Sequence, residues 1–192
     1  MNDPKKKSHP VLWTVIAVLV VLAAYAHSMI RHGFSAKAEP SGAEKMIART
    51  MRDLAIPSSA KYEKNPLPAS ADNVHDGMEH FADHCATCHA NDGSGQSDIG
   101  PNLYPKPPDL RAAETQNLSD GEIFYIIANG VRLSAMPASD HTVEDNWKLV
   151  LFIRHLPALT PAEEKQMEQL NPGEEGDDHR DNAVAPEHHH HH

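Results

Sequence analysis

The sequence predicts an all-α domain that follows a single membrane-spanning helix. Residues 11–30 form an apolar run without Lys, Arg, Asp or Glu. In residues 73–157, apolar side chains recur at helical spacing, and no stretch alternates as a half-buried strand does. These two observations divide the chain into an anchor, a connector, a helical domain and a tail.

The apolar run is long enough to cross a bilayer. A helix over residues 11–30 would span roughly 30 Å at ~1.5 Å per residue. Lys5, Lys6 and Lys7 make residues 1–10 a basic terminus that favours the cytoplasmic side. A cleaved signal peptide is the alternative, because "AKA" at 36–38 has the small residues that signal peptidase prefers. Both interpretations place the remaining chain across the membrane.

Residues 31–72 are predicted to be a tether on the far side of the membrane. The stretch "SGAEKMIARTMRDLAIP" indicates a short helix, which Pro57 should end. Pro66 and Pro68 indicate a stiff connector into the next unit.

The compact domain, residues 73–157, begins with a predicted helix over "DNVHDGMEHFADHCATCH". Asp72 or Asn73 is expected to cap its start. The following stretch, "NDGSGQSDIGPNLYPKPPDL", is rich in Gly and Pro and should be loop.

Two further helices complete the domain. In "LSDGEIFYIIANG", Ser119 and Glu122 form a capping box, and Gly130 occupies the C-terminal cap position. The last helix, "TVEDNWKLVLFIRHL", should end before Pro157. Within residues 158–171, Thr160 and Pro161 indicate the start of a short helix.

Residues 172–192 read as a disordered tail, because they are acidic and poor in apolar side chains. The tail ends in five histidines, which fit either a purification tag or a natural metal-binding segment.

Composition narrows the class of partner. A formal net charge of −10 argues against nucleic-acid binding, which needs positive charge. Residues 33–192 contain 13 basic and 26 acidic residues. This excess of negative charge suggests a partner with a basic surface as one hypothesis. Aromatic residues make up only 5% of the chain. A small domain with so few aromatic side chains buries little apolar surface and often needs additional stabilisation, such as a covalently bound cofactor.

The motif "CATCH" at residues 85–89 indicates covalent haem. Cys85 and Cys88 would form thioethers with the two haem vinyl groups, and His89 would be the proximal iron ligand. A redox dithiol usually lies beside a βαβ pattern, which the sequence lacks. With only two cysteines, a zinc Cys₄ site is excluded, and zinc would need nearby histidines such as His75, His80 or His84.

A six-coordinate iron needs a second ligand. Met136 follows His89 by 47 residues and precedes Pro137, whose fixed backbone would help to hold a thioether in place. Ordinary core packing is the alternative role for Met136, and His141 is the rival ligand.

Four segments in chain order, "GMEHFADHCATCH", "GPNL", "GVRLSAMP" and "WKLVLFIRHL", resemble the class I (mitochondrial-type) cytochromes c. The similarity is strongest to small bacterial membrane-anchored monohaem members and covers residues 73–157. It implies a fold of three to five helices around one covalent haem c.

The resemblance also implies individual roles. Met136 would be the distal iron ligand, and the Pro101 carbonyl would accept a hydrogen bond from His89 Nδ1. Gly77 and Phe81 would cross the last helix near Leu149 and Phe152.

Several side chains are expected near the haem. The predicted pocket walls are Leu103, Tyr104, Leu110, Phe124, Ile127 and Leu133. Tyr104 or Arg132 is expected to bond a haem propionate, with a solvated surface charge as the alternative for Arg132.

The resulting functional prediction is an electron carrier rather than an enzyme. Iron held by imidazole and thioether has no open position and cycles between Fe(II) and Fe(III). The expected location is the bacterial inner membrane, with one span and the haem domain in the periplasm. The expected partners are a redox protein donor and acceptor, without a small-molecule substrate. The alternatives are a haem-bearing subunit of a dehydrogenase or oxidase, and a haem peroxidase or ligand sensor in which Met136 dissociates.

Overall fold

The computed structural model describes residues 9–32 and 35–172. Within these residues every regular element is helical and no β-strand occurs, which confirms the all-α prediction. The chain divides into two compact units, Met1–Ala38 and Glu39–His192. Most of the predicted tail, from residue 173 to the five terminal histidines, lies outside the described residues.

The first unit contains helix α1, Pro10–His32. Its stretch Pro10–Arg31 spans 22 residues with a mean hydropathy of 2.1, and these residues are exposed. At about 1.5 Å per residue, α1 is long enough for the roughly 30 Å hydrocarbon layer of a bilayer. By length and composition it is a candidate membrane anchor, as the apolar run predicted.

The second unit contains the remaining helices. They are α2 Gly42–Ala55, α3 Ser58–Tyr62, α4 Ala71–His80, α5 Ala86–His89, α6 Ala113–Gln116, α7 Asp120–Asn129, α8 Val143–His155 and α9 Pro161–Leu170. A π-helical segment, Phe81–Cys85, joins α4 to α5, and short 3₁₀ turns occur at Gly100–Asn102 and Leu156–Ala158.

The core of this unit forms where α4 crosses α8. The rings of Phe81 and Phe152 lie 5.2 Å apart, centroid to centroid, and both side chains are fully buried. Leu149 belongs to the same buried cluster. A Cβ added to Gly77 would lie 3.1 Å from the Cβ of Phe152. The helix crossing that the resemblance implied is therefore confirmed.

Helix starts follow local capping chemistry. Ser119 and Glu122 form the predicted capping box of α7, and Thr160 with Glu163 forms another at α9, where Pro161 is the first residue. The predicted cap of α4 was wrong. Helix α4 begins at Ala71, so Ser70 is the cap residue, and its hydroxyl accepts a hydrogen bond from the Asn73 backbone.

The connector ahead of α4 packs on the helices. A Cβ added to Gly121 in α7 would lie 1.9 Å from the carbonyl oxygen of Ala60, so α3 and α7 approach through their backbones. The side-chain amide of Asn65 donates to the Trp147 carbonyl of α8 at 2.9 Å. Residues 58–65 are thereby fixed against α7 and α8.

Helix α9 returns to the region of the CATCH motif. Met167 is fully buried in the core cluster. Beyond the helix, Asn171 accepts a hydrogen bond from Asn91 at 3.0 Å and donates one back at 2.8 Å. Because Asn91 lies two residues after His89, α9 covers the segment that leaves the motif.

Candidate haem site

The CATCH motif occupies a single irregular helical turn. Cys85 ends the π-helical segment, and Cys88 and His89 lie in α5. π-helical turns are rare and occur frequently at functional sites. Ala90 then takes a positive φ of 63°, which ends the helix directly after His89.

The loop after the motif folds back onto it. The backbone N–H of Gly95 donates to the His89 carbonyl at 2.8 Å, and the Ser97 hydroxyl donates to the Cys88 carbonyl at 3.2 Å. A Cβ on Gly100 would lie 2.7 Å from that Cys88 carbonyl oxygen, so only glycine fits. The carbonyl groups that end α5 are therefore paired within the protein.

The two cysteines are free and partly buried. Burial, together with the charge of the neighbouring Cys88, raises the pKa of Cys85 to about 12. A thiol in this state is a poor metal ligand and a poor redox nucleophile, since both roles need the thiolate. The environment of the two cysteines disfavours their use as zinc ligands or as a redox dithiol, and it is compatible with neutral thioethers.

His89 has the properties of a neutral ligand. Burial lowers its pKa, and the Pro108 backbone offsets only part of that effect. Its Nδ1 is buried without a hydrogen-bond partner among the described residues. An imidazole bound to iron must be neutral, and a buried ring nitrogen without a hydrogen-bond partner calls for an explanation. The residues of the motif therefore fit a covalently held haem.

The expected bond from His89 Nδ1 to the Pro101 carbonyl is not formed in this structure, where Nδ1 has no partner among the described residues, and it stays a prediction for the haem-bound protein. The Pro101 carbonyl instead accepts a hydrogen bond from Lys106 Nζ at 2.7 Å. Lys106 also pairs with Glu39 at 3.3 Å. The lysine competes for the carbonyl that the resemblance assigned to His89.

Met136 lies in a tightly bonded turn. Its N–H donates to the Ser134 hydroxyl at 3.1 Å, and its carbonyl accepts from Val131 at 3.1 Å. The turn begins at Gly130, where φ is 65° and a Cβ would lie 2.5 Å from the Pro137 carbonyl carbon. The main chain around Met136 is thus held from both sides, and its ligation of iron stays a prediction.

The predicted pocket residues differ in their surroundings. Leu110 and Ile127 are buried, Leu103 is partly buried, and the ring of Phe124 stacks on Trp147 at 4.2 Å. The exposed ones are Tyr104, Arg132 and Leu133. Tyr104 donates its hydroxyl to Glu44 of α2 at 3.2 Å. Contact of any of these side chains with haem stays a prediction.

The rival ligand His141 joins two other histidines. His80, His84 and His141 each offer a ring nitrogen, and these nitrogens lie within 4.8 Å of one another. The spacing of His80 and His84 in the sequence signals a shared helix face, but the approach of His141 depends on the tertiary fold.

Comparison with known proteins supports the class. Residues 72–153 match the family model described as cytochrome C oxidase, cbb3-type, subunit III. A search of the curated proteins found no match. The matched region contains the CATCH motif, Met136 and the crossing of α4 with α8. The match supports a c-type cytochrome domain in this helical region, and a domain of that class implies haem c.

Proposed function

We propose that this chain is a membrane-anchored monohaem c-type cytochrome that carries single electrons between redox proteins at the periplasmic face. The observation that supports this most directly is His89, which follows two thiols within one helical turn and whose Nδ1 is buried without a hydrogen-bond partner among the described residues. The chain has only two cysteines, which provides one attachment motif and favours one haem.

Each residue of the proposed site has a defined task. Cys85 and Cys88 would hold the cofactor covalently, and His89 and Met136 would ligate its iron. When bound, haem supplies reversible one-electron exchange at iron. The turn that fixes Met136 would restrict access of other ligands, which suits electron transfer better than catalysis.

The proposed location follows from α1 and the lysines before it. An uncleaved α1 would keep the cytochrome domain at the inner membrane, and the basic terminus favours a cytoplasmic start. The domain would then meet its donor and acceptor in the periplasm. A protease-accessibility experiment on spheroplasts tests this orientation: degradation of the haem domain supports it, and protection contradicts it.

The main experiment measures covalent haem. The full chain, matured with the haem-attachment machinery, should show one pyridine haemochrome equivalent that remains with the denatured polypeptide. The double variant Cys85→Ala/Cys88→Ala should lose all covalent haem, whereas Met46→Leu, a change on the exposed face of α2, should keep it. A colourless wild-type protein would contradict the proposal.

A second function is favoured by the family match. The matching model describes a subunit of a cytochrome oxidase, so the chain would relay electrons inside a larger complex. Copurification of the full chain from native membranes with an oxidase or dehydrogenase in fixed stoichiometry would favour this function over a free carrier. A peroxidase or sensor would instead require ready binding of CO or cyanide to the resting protein.

A further inference from the structure

A cluster of three histidines lies outside the proposed haem ligands. His80 is the last residue of α4, and His84 lies four residues later in the π-helical segment. Residues four apart in a helix share one face. His141 reaches the same face from the loop between the Met136 turn and α8, and its ring centroid lies 5.3 Å from that of His80 and 4.4 Å from that of His84.

We propose that His80, His84 and His141 bind one Zn²⁺ ion. One ring nitrogen from each histidine lies within 4.8 Å of the others. In a tetrahedral zinc site with Zn–N bonds of about 2.0–2.1 Å, ligand nitrogens lie about 3.3 Å apart. The site therefore needs each pair to close by at most about 1.5 Å, which rotations of the imidazoles about their side-chain bonds can supply.

The backbone that carries His141 is already fixed. The His141 N–H donates to the Ser139 hydroxyl at 3.2 Å, and that hydroxyl donates to the buried Asn146 side chain at 2.7 Å. The Ser139 N–H donates to the Ile127 carbonyl at 3.0 Å. Because α7 and α8 both hold this loop, His141 is positioned without the ion.

A carboxylate completes the surroundings. Oδ1 of Asp145 lies 3.2 Å from His80 Nε2, and its Oδ2 accepts a hydrogen bond from the Thr142 hydroxyl at 2.7 Å. A carboxylate beside a ligating histidine orients the ring and raises its basicity. It also supplies the negative charge that offsets part of the charge of a divalent ion.

The ion can reach the site from solvent. The His80 side chain is 32% exposed and His84 is exposed, while His141 is partly buried. Neutral imidazoles suit zinc, and three of them leave a fourth position for water or the nearby carboxylate. A bound ion would link the helix that ends in the CATCH motif to the loop that follows Met136.

Calorimetric titration of the purified holoprotein with Zn²⁺ alone tests the proposal. Residues 188–192 are histidines and would bind the same ion, so each is replaced by alanine in every sample. We expect one Zn²⁺ per chain. His84→Ala and His141→Ala should each weaken binding at least about tenfold, and Zn²⁺ should raise the melting temperature of the parent but not of these variants.

His75→Ala is the matched control. His75 lies on the same helix and is exposed, but it belongs with Asp76 and Glu79 rather than with the histidine cluster. Its replacement should leave the affinity within twofold. The proposal is overturned if His84→Ala binds Zn²⁺ as tightly as the parent, or if His75→Ala loses binding to the same extent. Since His84 is exposed, its variant should fold, and a cooperative thermal unfolding transition in the absence of Zn²⁺ verifies this.

Discussion

Gly77 of α4 and Lys148 of α8 meet backbone to backbone. A Cβ added to Gly77 would lie 2.2 Å from the carbonyl oxygen of Lys148 and 2.8 Å from its carbonyl carbon. Real Cβ atoms do not come this close to backbone, so the crossing accepts only glycine at position 77. The same crossing brings Phe81 against Phe152 and thereby fixes the helix that carries the CATCH motif.

Gly77→Ala should destabilise the protein, because the added methyl group forces α4 and α8 apart. We expect the free energy of unfolding to fall by about 1–3 kcal/mol, the usual cost of overpacking a core. Denaturant unfolding of the holoprotein measures it. Gly42→Ala is the control, since a Cβ at Gly42 meets nothing within 4 Å. Equal stability of Gly77→Ala and the parent would show that the helices separate without cost.

Arg154→Lys should also destabilise the domain. The guanidinium of Arg154 donates to Asp120 at 2.8 Å, to the Gln116 carbonyl at 2.6 Å and to the Leu118 carbonyl. An ammonium group cannot reach all three acceptors in this arrangement. We expect a loss of about 1–3 kcal/mol in the free energy of unfolding.

The control for Arg154 is Arg49→Lys. Arg49 pairs with Glu114, and their side chains are 48% and 60% exposed. Exposed pairs contribute about 0–1 kcal/mol, so this variant should unfold close to the parent in the same denaturant titration. If the two lysine variants lose the same free energy of unfolding, the three contacts of Arg154 stabilise the domain no more than an exposed ion pair does.

Glu163 should make stability depend on acidity. Its carboxylate accepts hydrogen bonds from the Thr160 N–H and hydroxyl, both at 2.8 Å, and lies 2.9 Å from His155 Nε2. These contacts, with the Thr160 backbone first, lower the pKa of Glu163 below 4.5. The folded chain then holds this proton less tightly than the unfolded chain, so the contribution is complete above pH 4.5 and is lost at lower pH.

Glu163→Gln should therefore lower the free energy of unfolding at neutral pH by about 0.5–1.5 kcal/mol. The difference from the parent should shrink as the pH falls below 4.5. Urea titrations at a series of pH values measure both effects. Glu168→Gln, on the exposed side of the same helix, should have the same free energy of unfolding as the parent at every pH in the series. A constant gap across the series would argue against this role of Glu163.

Local signals in the sequence predicted much of the fold. Ser119, Glu122 and Thr160 are caps whose partners lie within three residues, so their chemistry is readable from the chain alone. The start of α4 was misplaced because the Ser70 cap lies just before the interval considered helical. The packing of Asn65 on Trp147, 82 residues away, has no local signal.

The site divides in the same way. Cys85, Cys88 and His89 form one contiguous motif, so their proximity was certain from the sequence. The competition of Lys106 for the Pro101 carbonyl and the approach of His141 to His80 depend on how loops fold over the helices. Spacing along the chain does not encode contacts of this kind.

Met136→Leu tests the distal ligand. Leucine has a similar volume but no sulfur, so the turn from Val131 to Met136, which is held by main-chain and Ser134 contacts, should persist. We expect the weak sulfur–iron band of the oxidised protein to disappear, the reduction potential to fall because thioether ligation raises it, and CO to bind the reduced protein stoichiometrically. His141→Ala should retain the band and exclude CO if His141 is not the ligand. Absence of the band in the parent, with CO binding to the reduced protein only after His141→Ala, would assign the distal position to the histidine instead.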